Sequence, residues 1–438
     1  MFPALLALMT LACDAPAPAP RTFEAAAPDT VILVIGCTLR ADRLGSYGNP
    51  RETSPTLDQL AAEGARVERL VSNAPWTRPA LAALTTGRYP LSLGIDDPKH
   101  GGFTNRGLHP DVDTLAERFA AAGYTTLGAT ANPNANTVFG LNQGFTTYQE
   151  ATGLWRDDRR KVAGEDVVAA WAEEAAKVKG KLFGQLVLVD THKPLAEARR
   201  QRLSLGLGAF FWPTDLDLYD AALLVLDAAI RSLDEALGAM GRGGRLLFVV
   251  GDHGEGLYTP VKAGKAHGRY LYDANLNVPW IAHGPGVKPG VVIGGLTQSI
   301  DVGPTLLDLA GLPPAERMHG RSQGAALRGG LDADNPWLFS ETYFGPEHKA
   351  RLTTPEWTYL RNHRLPVTSP RGEELYRARD PSQGEDVSHR EQQALGALRA
   401  QSEALKARLT AEQQIWEIQG VSDEVKEQLQ QLGYVEPE

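Results

Sequence analysis

From residue 29 onward the chain alternates short β-branched apolar runs with stretches whose apolar residues recur every three to four positions. That alternation is what a mostly parallel sheet covered by helices requires. TVILVIG (30–36) is a buried strand by composition, and KLFGQLVLVD (181–190) and GRLLFVVGD (244–252) are further strands. Helical periods fill the intervals. Ser54 and Pro55 stand at the N-cap and first helical position of TLDQLAAEG, TLAERFAAAG (114–123) is a helix closed by Gly123, and a long helix is predicted over 216–239. VPWIAHGPG and a helix begun at Asp301 in DVGPTLLDLAG continue the pattern, and no internal repeat is visible.

After roughly residue 340 the pattern changes to short polar strand candidates, EWTYLRN and EELYRA, which suit a small antiparallel sheet. Residues 389–413 carry apolar positions at helical spacing among dense charge, a solvent-facing amphipathic helix. The expected organisation is an α/β domain over 29–340 and a small C-terminal subdomain with helices over 341–438.

The N-terminus departs from both patterns. MFPALLALMTLAC is too short to span a bilayer as a mature helix and is followed by the Ala- and Pro-rich stretch DAPAPAPRTFEAAAPD. The expectation is a signal peptide over 1–12, acylation of Cys13, and a tether over 13–28 that anchors the protein to a membrane of a bacterial cell envelope. The alternative is a plain secretory signal, giving a secreted or periplasmic protein. Composition adds limits. The 438 residues are 42% hydrophobic and 22% charged, a globular balance, and the net charge of −9 argues against a nucleic-acid or anionic-membrane surface. With two cysteines, Cys13 and Cys37, no disulfide scaffold is expected, and acylation of Cys13 leaves Cys37 a lone thiol.

Three strands run into polar residues: the first into Cys37 and Thr38, the second into Asp190, Thr191 and His192, the third into Asp252 and His253. In an open α/β sheet ligands gather at the carboxyl ends of strands, so these ends should converge. In GDHGE (251–255) Asp252 and His253 offer oxygen and nitrogen donors to a divalent cation while Gly251 and Gly254 permit a tight turn; the bland reading is an exposed turn. His267, a dozen residues on, supplies another imidazole. In APWTRPALAALTTGRYP, Pro79 pre-sets a first helical turn and puts Thr77 at its N-terminus, where free N–H groups and the dipole favour an anion. A Thr there is most often a cap.

The stretch VILVIGCTLRADRLGSYGNPRETSPTLDQLAAEGARVERLVSNAPWTRPALAALTTGRYP resembles the N-terminal signature of sulfatases. It is followed in order by TLAERFAAAGYTT, ANPN leading to FGLNQGF, VDTHKP, GDHGE, HGRYLYDANLNVPWIAHGPG, DVGPTLLDLAG, EELYRARDP and EQLQQLGYV, covering residues 30–435. The resemblance implies an alkaline phosphatase-like fold and, for active members, hydrolysis of sulfate or phosphate esters at one divalent metal. By the same resemblance Asp252 and His253 match metal ligands, Thr77 the nucleophile, and His192 and His267 groups that contact the sulfuryl oxygens or protonate the leaving group. Arg78 and Asn132 are taken as substrate-binding. Two departures stand out: Cys37 replaces the family's usual Asp, and Leu81 stands where its nucleophile-steadying Arg belongs. Thr77 cannot become formylglycine, so none is expected.

Two functions follow. One is a hydrolase with Thr77 as nucleophile, its cation calcium by resemblance, or zinc if Cys37 is a ligand, since thiolate, imidazole and carboxylate suit zinc. Its partner would be an anionic ester or a sulfated or phosphorylated glycan. The other is a catalytically inactive lipoprotein that keeps the fold to bind an anionic glycan or a protein.

Overall fold

A computed structural model describes residues 27–95, 106–155, 161–195 and 214–434, apart from Pro346, Pro370 and Pro381. The expected signal segment and Cys13 lie outside the described residues.

The central sheet contains Thr30–Gly36 (β1), Ala65–Val71 (β2), Thr125–Thr130 (β3), Thr147–Gln149 (β4), Leu182–Leu188 (β5), Leu246–Gly251 (β6), Asn277–His283 (β7), Val291–Ile293 (β8) and Thr297–Gln298 (β9). Its order is β4-β3-β5-β1-β6-β7-β2-β8, with β9 beside β2. β1 is parallel to β5 and β6, and β3 to β4 and β5, whereas β7 runs antiparallel to both β6 and β2. The period of two in β1 sends Val31, Leu33 and Ile35 to one face and Ile32 and Val34 to the other. The first face packs on helices 77–86, 115–121 and 302–309 through Leu81, Phe119 and Leu306; the second packs on helices 55–63, 164–175 and 215–239 through Leu57, Trp171 and Leu226. Helices therefore cover both faces, and the strands between them can be apolar throughout.

Leu338–Thr342 (β10), Lys349–Thr353 (β11), Trp357–Asn362 (β12) and Glu373–Arg377 (β13) form an antiparallel sheet in sequence order. Helix 392–411 is not only a solvated surface: Leu395, Leu398, Leu405 and Leu409 are buried in the cluster that holds Leu352, Tyr359 and Leu375 of this sheet. Asp273 joins the two sheets, lying 3.0 Å from Arg69 of β2 and 2.7 Å from Arg351 of β11.

Ser54 does hold the N-cap position of helix 55–63, yet its hydroxyl bonds the Asp58 carboxylate instead of the helix backbone. The cap comes from elsewhere: Asp227, on helix 215–239, accepts from Thr56 N and Leu57 N at 3.0 and 2.9 Å. Among the described residues no helix is long and apolar enough to cross a membrane.

Candidate active site

Gly36 pairs with Leu188 on one side and Gly251 on the other, so β5, β1 and β6 end level and the residues after them emerge side by side. Cys37 continues β1 with its N–H on Leu188 O, and Asp252 N–H bonds Gly36 O. The following turn puts Thr38 at φ +58°, held by Tyr219, whose hydroxyl donates to Thr38 O at 2.6 Å. Gly254 has no alternative here, because a Cβ would lie 2.0 Å from Ala274 O. On the other flank, Lys161 Nζ donates to the carbonyls of Val189, Asp190 and His192 and pins the loop that carries His192.

Thr77 is the first residue of helix 77–86, and the cap position falls on Trp76, which makes no side-chain capping bond. The Thr77 hydroxyl instead faces the strand ends. Its Oγ1 lies 3.2 Å from His253 Nε2, 3.3 Å from Cys37 Sγ and 2.6 Å from the hydroxyl of Tyr434. Asn132 Nδ2 stands 3.3 Å from both Cys37 Sγ and Thr77 Oγ1 and 3.1 Å from Tyr434 OH. Its orientation is fixed, since Asn132 Oδ1 accepts from Asn134 N. His267 completes the group, its ring centre 4.7 Å from that of His253 and 4.9 Å from that of His192.

Each imidazole has a defined proton. His253 Nδ1 and His192 Nδ1 face the carbonyls of Gly254 and Lys193, which can only accept, so both carry hydrogen there and leave Nε2 as a lone pair. Burial, with the neighbouring His267, pushes His192 well below its ordinary range, and burial takes His253 down to about 4, so both are neutral at pH 7. His267 differs: its Nδ1 donates to the Glu255 carboxylate at 3.2 Å. Burial alone would raise the Glu255 carboxyl, but His267 holds it below its ordinary value, so the partner of His267 Nδ1 is an anion.

The cluster fits a small divalent cation. Donor atoms of Cys37, Asp252 and His253 all lie within 4.8 Å of one another. Asp252 Oδ1 accepts from Thr38 N and His253 N, while its buried Oδ2 has no hydrogen-bond partner and lies 3.4 Å from His253 Nε2. Burial, reinforced by Asp252, pushes the Cys37 thiol well up, so a thiolate beside that carboxylate needs a cation to neutralise it. One sulfur, one nitrogen and one oxygen make a tetrahedral zinc set more readily than the six to eight oxygens calcium takes.

The structure thus brings Cys37, Thr77, Asn132, His192, Asp252, His253 and His267 together. Arg78 turns elsewhere: its guanidinium donates to Asn134 Oδ1 at 3.0 Å and stacks 3.6 Å from the Phe139 ring centre. Sequence reading missed Glu255, although it stands inside GDHGE, and Tyr434, although it is the next-to-last residue of the EQLQQLGYV segment.

A mostly parallel sheet with helices on both faces, a small antiparallel sheet beside it, and candidate metal ligands and a hydroxyl group at the carboxyl edge define the alkaline phosphatase-like class of hydrolase folds. The sulfatase family profile matches residues 29–312, and the chain belongs to that family. It is 27% identical to human arylsulfatase A over 334 residues, 66% of this chain and 65% of that one. A 40% match to bovine arylsulfatase A covers 24% of this chain and 20% of the relative, so the chain spans less than two thirds of either. Among solved structures, the phosphonate monoester hydrolase of Silicibacter pomeroyi superposes with TM-score 0.64 at 21% identity, covering 87% of this chain and 95% of its own. A protein solved with its substrate D-glucosamine-2-N,6-O-disulfate superposes with TM-score 0.66 at 15% identity, covering 88% and 98%.

Proposed function

We propose that the protein hydrolyses sulfate, phosphate or phosphonate esters with Thr77 as nucleophile. The observation that carries this reading is the Thr77 hydroxyl itself, held at a helix N-terminus, unused as a cap, and 3.2 Å from the lone-pair nitrogen of His253. Cys37, Asp252 and His253 would hold a zinc-like cation, which when bound lowers the pKa of a neighbouring hydroxyl and neutralises charge on the ester.

Thr77 Oγ1 acts as the alkoxide, its proton given up to water beforehand and the alkoxide released again at the end of the cycle. It attacks the sulfur or phosphorus, and the bond to the ester oxygen breaks as the new bond forms. The His267 imidazolium, supported by Glu255, gives its proton to the departing oxygen. Asn132 Nδ2 and the positive end of helix 77–86 bear on the non-bridging oxygens. Water then cleaves the Thr77 ester: its oxygen takes the sulfuryl or phosphoryl group, and its proton returns to neutral His267. His192, neutral and with Nε2 unpartnered, serves as a hydrogen-bond acceptor in the same pocket.

Sulfated or phosphorylated sugars are the favoured substrates, a class supported by the structural neighbour solved with a glucosamine disulfate. The non-catalytic alternative gains no support from relatives named as sulfatases and a hydrolase. The test is turnover of aryl sulfate, aryl phosphate and phenylphosphonate esters by the purified chain with its metal content measured. Thr77→Ala should lose at least about 10³-fold in kcat with the metal retained, and Thr77→Ser should keep most of it. Unchanged turnover in Thr77→Ala would remove Thr77 from the chemistry.

A further inference from the structure

Every group of the cluster is buried: Cys37, Thr77, Asn132, His192, Asp252 and His253 are 0% exposed, and His267 is 9% exposed. Among the described residues, Tyr434 is the side chain that stands against the Thr77 hydroxyl from outside the strand ends. Its hydroxyl lies 2.6 Å from Thr77 Oγ1, 3.1 Å from Asn132 Nδ2 and 3.9 Å from Cys37 Sγ. Its ring centre is 5.2 Å from that of His192 and 5.6 Å from that of His267. These are the groups that would bind an ester's oxygens, so phenol and substrate cannot occupy the pocket together.

We propose that Tyr434 is an internal occupant of the oxyanion subsite, a phenol standing where a sulfuryl or phosphoryl oxygen binds, and that substrate enters by displacing it. The proposal rests on the cluster being an ester site, as argued above.

Two features of the fold suit displacement. Tyr434 follows helix 423–431, which is held by a small cluster of its own, Val425, Leu429 and Leu432 against Phe139, separate from the two central cores. Moving Tyr434 therefore leaves the sheet and its covering helices intact. In that place the phenol offers the pocket a single hydroxyl, within hydrogen-bond distance of Thr77 Oγ1 and Asn132 Nδ2. A doubly or singly charged oxyanion replaces its hydrogen bonds with stronger, charge-assisted ones, whereas a neutral ester does not. The occupant thus selects for charge as well as gating access.

The test is binding of inorganic phosphate and inorganic sulfate to the full chain by calorimetry, at matched metal content, in wild type, Tyr434→Phe and Tyr434→Ala. Tyr434→Phe removes the hydroxyl and keeps the ring, and should bind phosphate about tenfold more tightly. Tyr434→Ala should gain further, and its melting temperature checks that it folds. In turnover, Tyr434→Phe should lower KM. Phosphate affinity unchanged in both variants would overturn the proposal. So would a fall in kcat at unchanged KM in Tyr434→Phe, which would make the phenol a catalytic group instead. Because anion binding is read without turnover, failure of Thr77 as the nucleophile leaves this result standing on its own.

Discussion

At the scale of single residues, the site divides its imidazoles by what each Nδ1 meets. Burial keeps His192 and His253 neutral, with Nδ1 of each on a carbonyl, whereas His267 Nδ1 meets the Glu255 carboxylate. Pairs of groups whose surroundings pull their protonation apart are how a site assigns acid and base. Glu255→Gln should therefore lower kcat by about 10²-fold, and more for esters of alkyl alcohols than for those of acidic phenols, which leave without a proton. An equal loss on both substrates would deny His267 its acid role. Apart from His267, which lies in a loop, the residues that the sequence made legible share one property: each follows a strand or opens a helix, so local pattern points it at the sheet edge. Glu255 escaped because its partner, His267, is twelve residues away and the pairing is purely spatial. Tyr434 escaped because it belongs to no strand end and reaches Thr77 only through the docking of helix 423–431.

Among the elements, β1, β5 and β6 were readable because unbroken apolar runs have few other uses. β2 was not, since ARVERLV interleaves Arg66, Glu68 and Arg69 with its apolar residues, and a register shift between Val67 and Leu70 breaks its alternation. β3, TTLGAT, is too poor in large apolar side chains to announce itself. The cap of helix 55–63 was half legible: Ser54 marks the position, while the acceptor for the first free N–H groups comes from Asp227, 171 positions away from Thr56. Asp227→Ala leaves Thr56 N and Leu57 N without that acceptor and should cost about 1–2 kcal/mol in urea unfolding. A variant as stable as wild type would show that Asp227 does not cap this helix.

On the scale of the whole molecule, the two sheets meet through a charge. Burial alone would raise the Asp273 carboxyl, but Arg351 and Arg69 hold it below its ordinary 3.8. Such a group contributes stability that is present in full above the unfolded value and is lost as pH falls through the lower folded one. Asp273→Asn leaves Arg351 buried without its partner and should destabilise the protein by about 3–5 kcal/mol at pH 7. The gap between variant and wild type should hold down to about pH 4 and close below it, as read by chemical unfolding across that range. A gap independent of pH would assign the loss to packing. We also propose the N-terminal lipid anchor: in a bacterial host Cys13→Ser should move the protein from the membrane fraction to the soluble one, and unchanged fractionation would remove it.

The contact between Cys37 and Tyr434 joins positions 397 apart, and that between Thr77 and Tyr434 positions 357 apart. A chain leaves the ribosome from its N-terminus at about 5–20 residues per second. Thr77 is thus in place tens of seconds before the tyrosine that covers it. Once Gly251 has emerged, β1, β5 and β6 are all available to pair, so for the last part of that interval the strands around Thr77 can assemble before the side chain that covers it has been made.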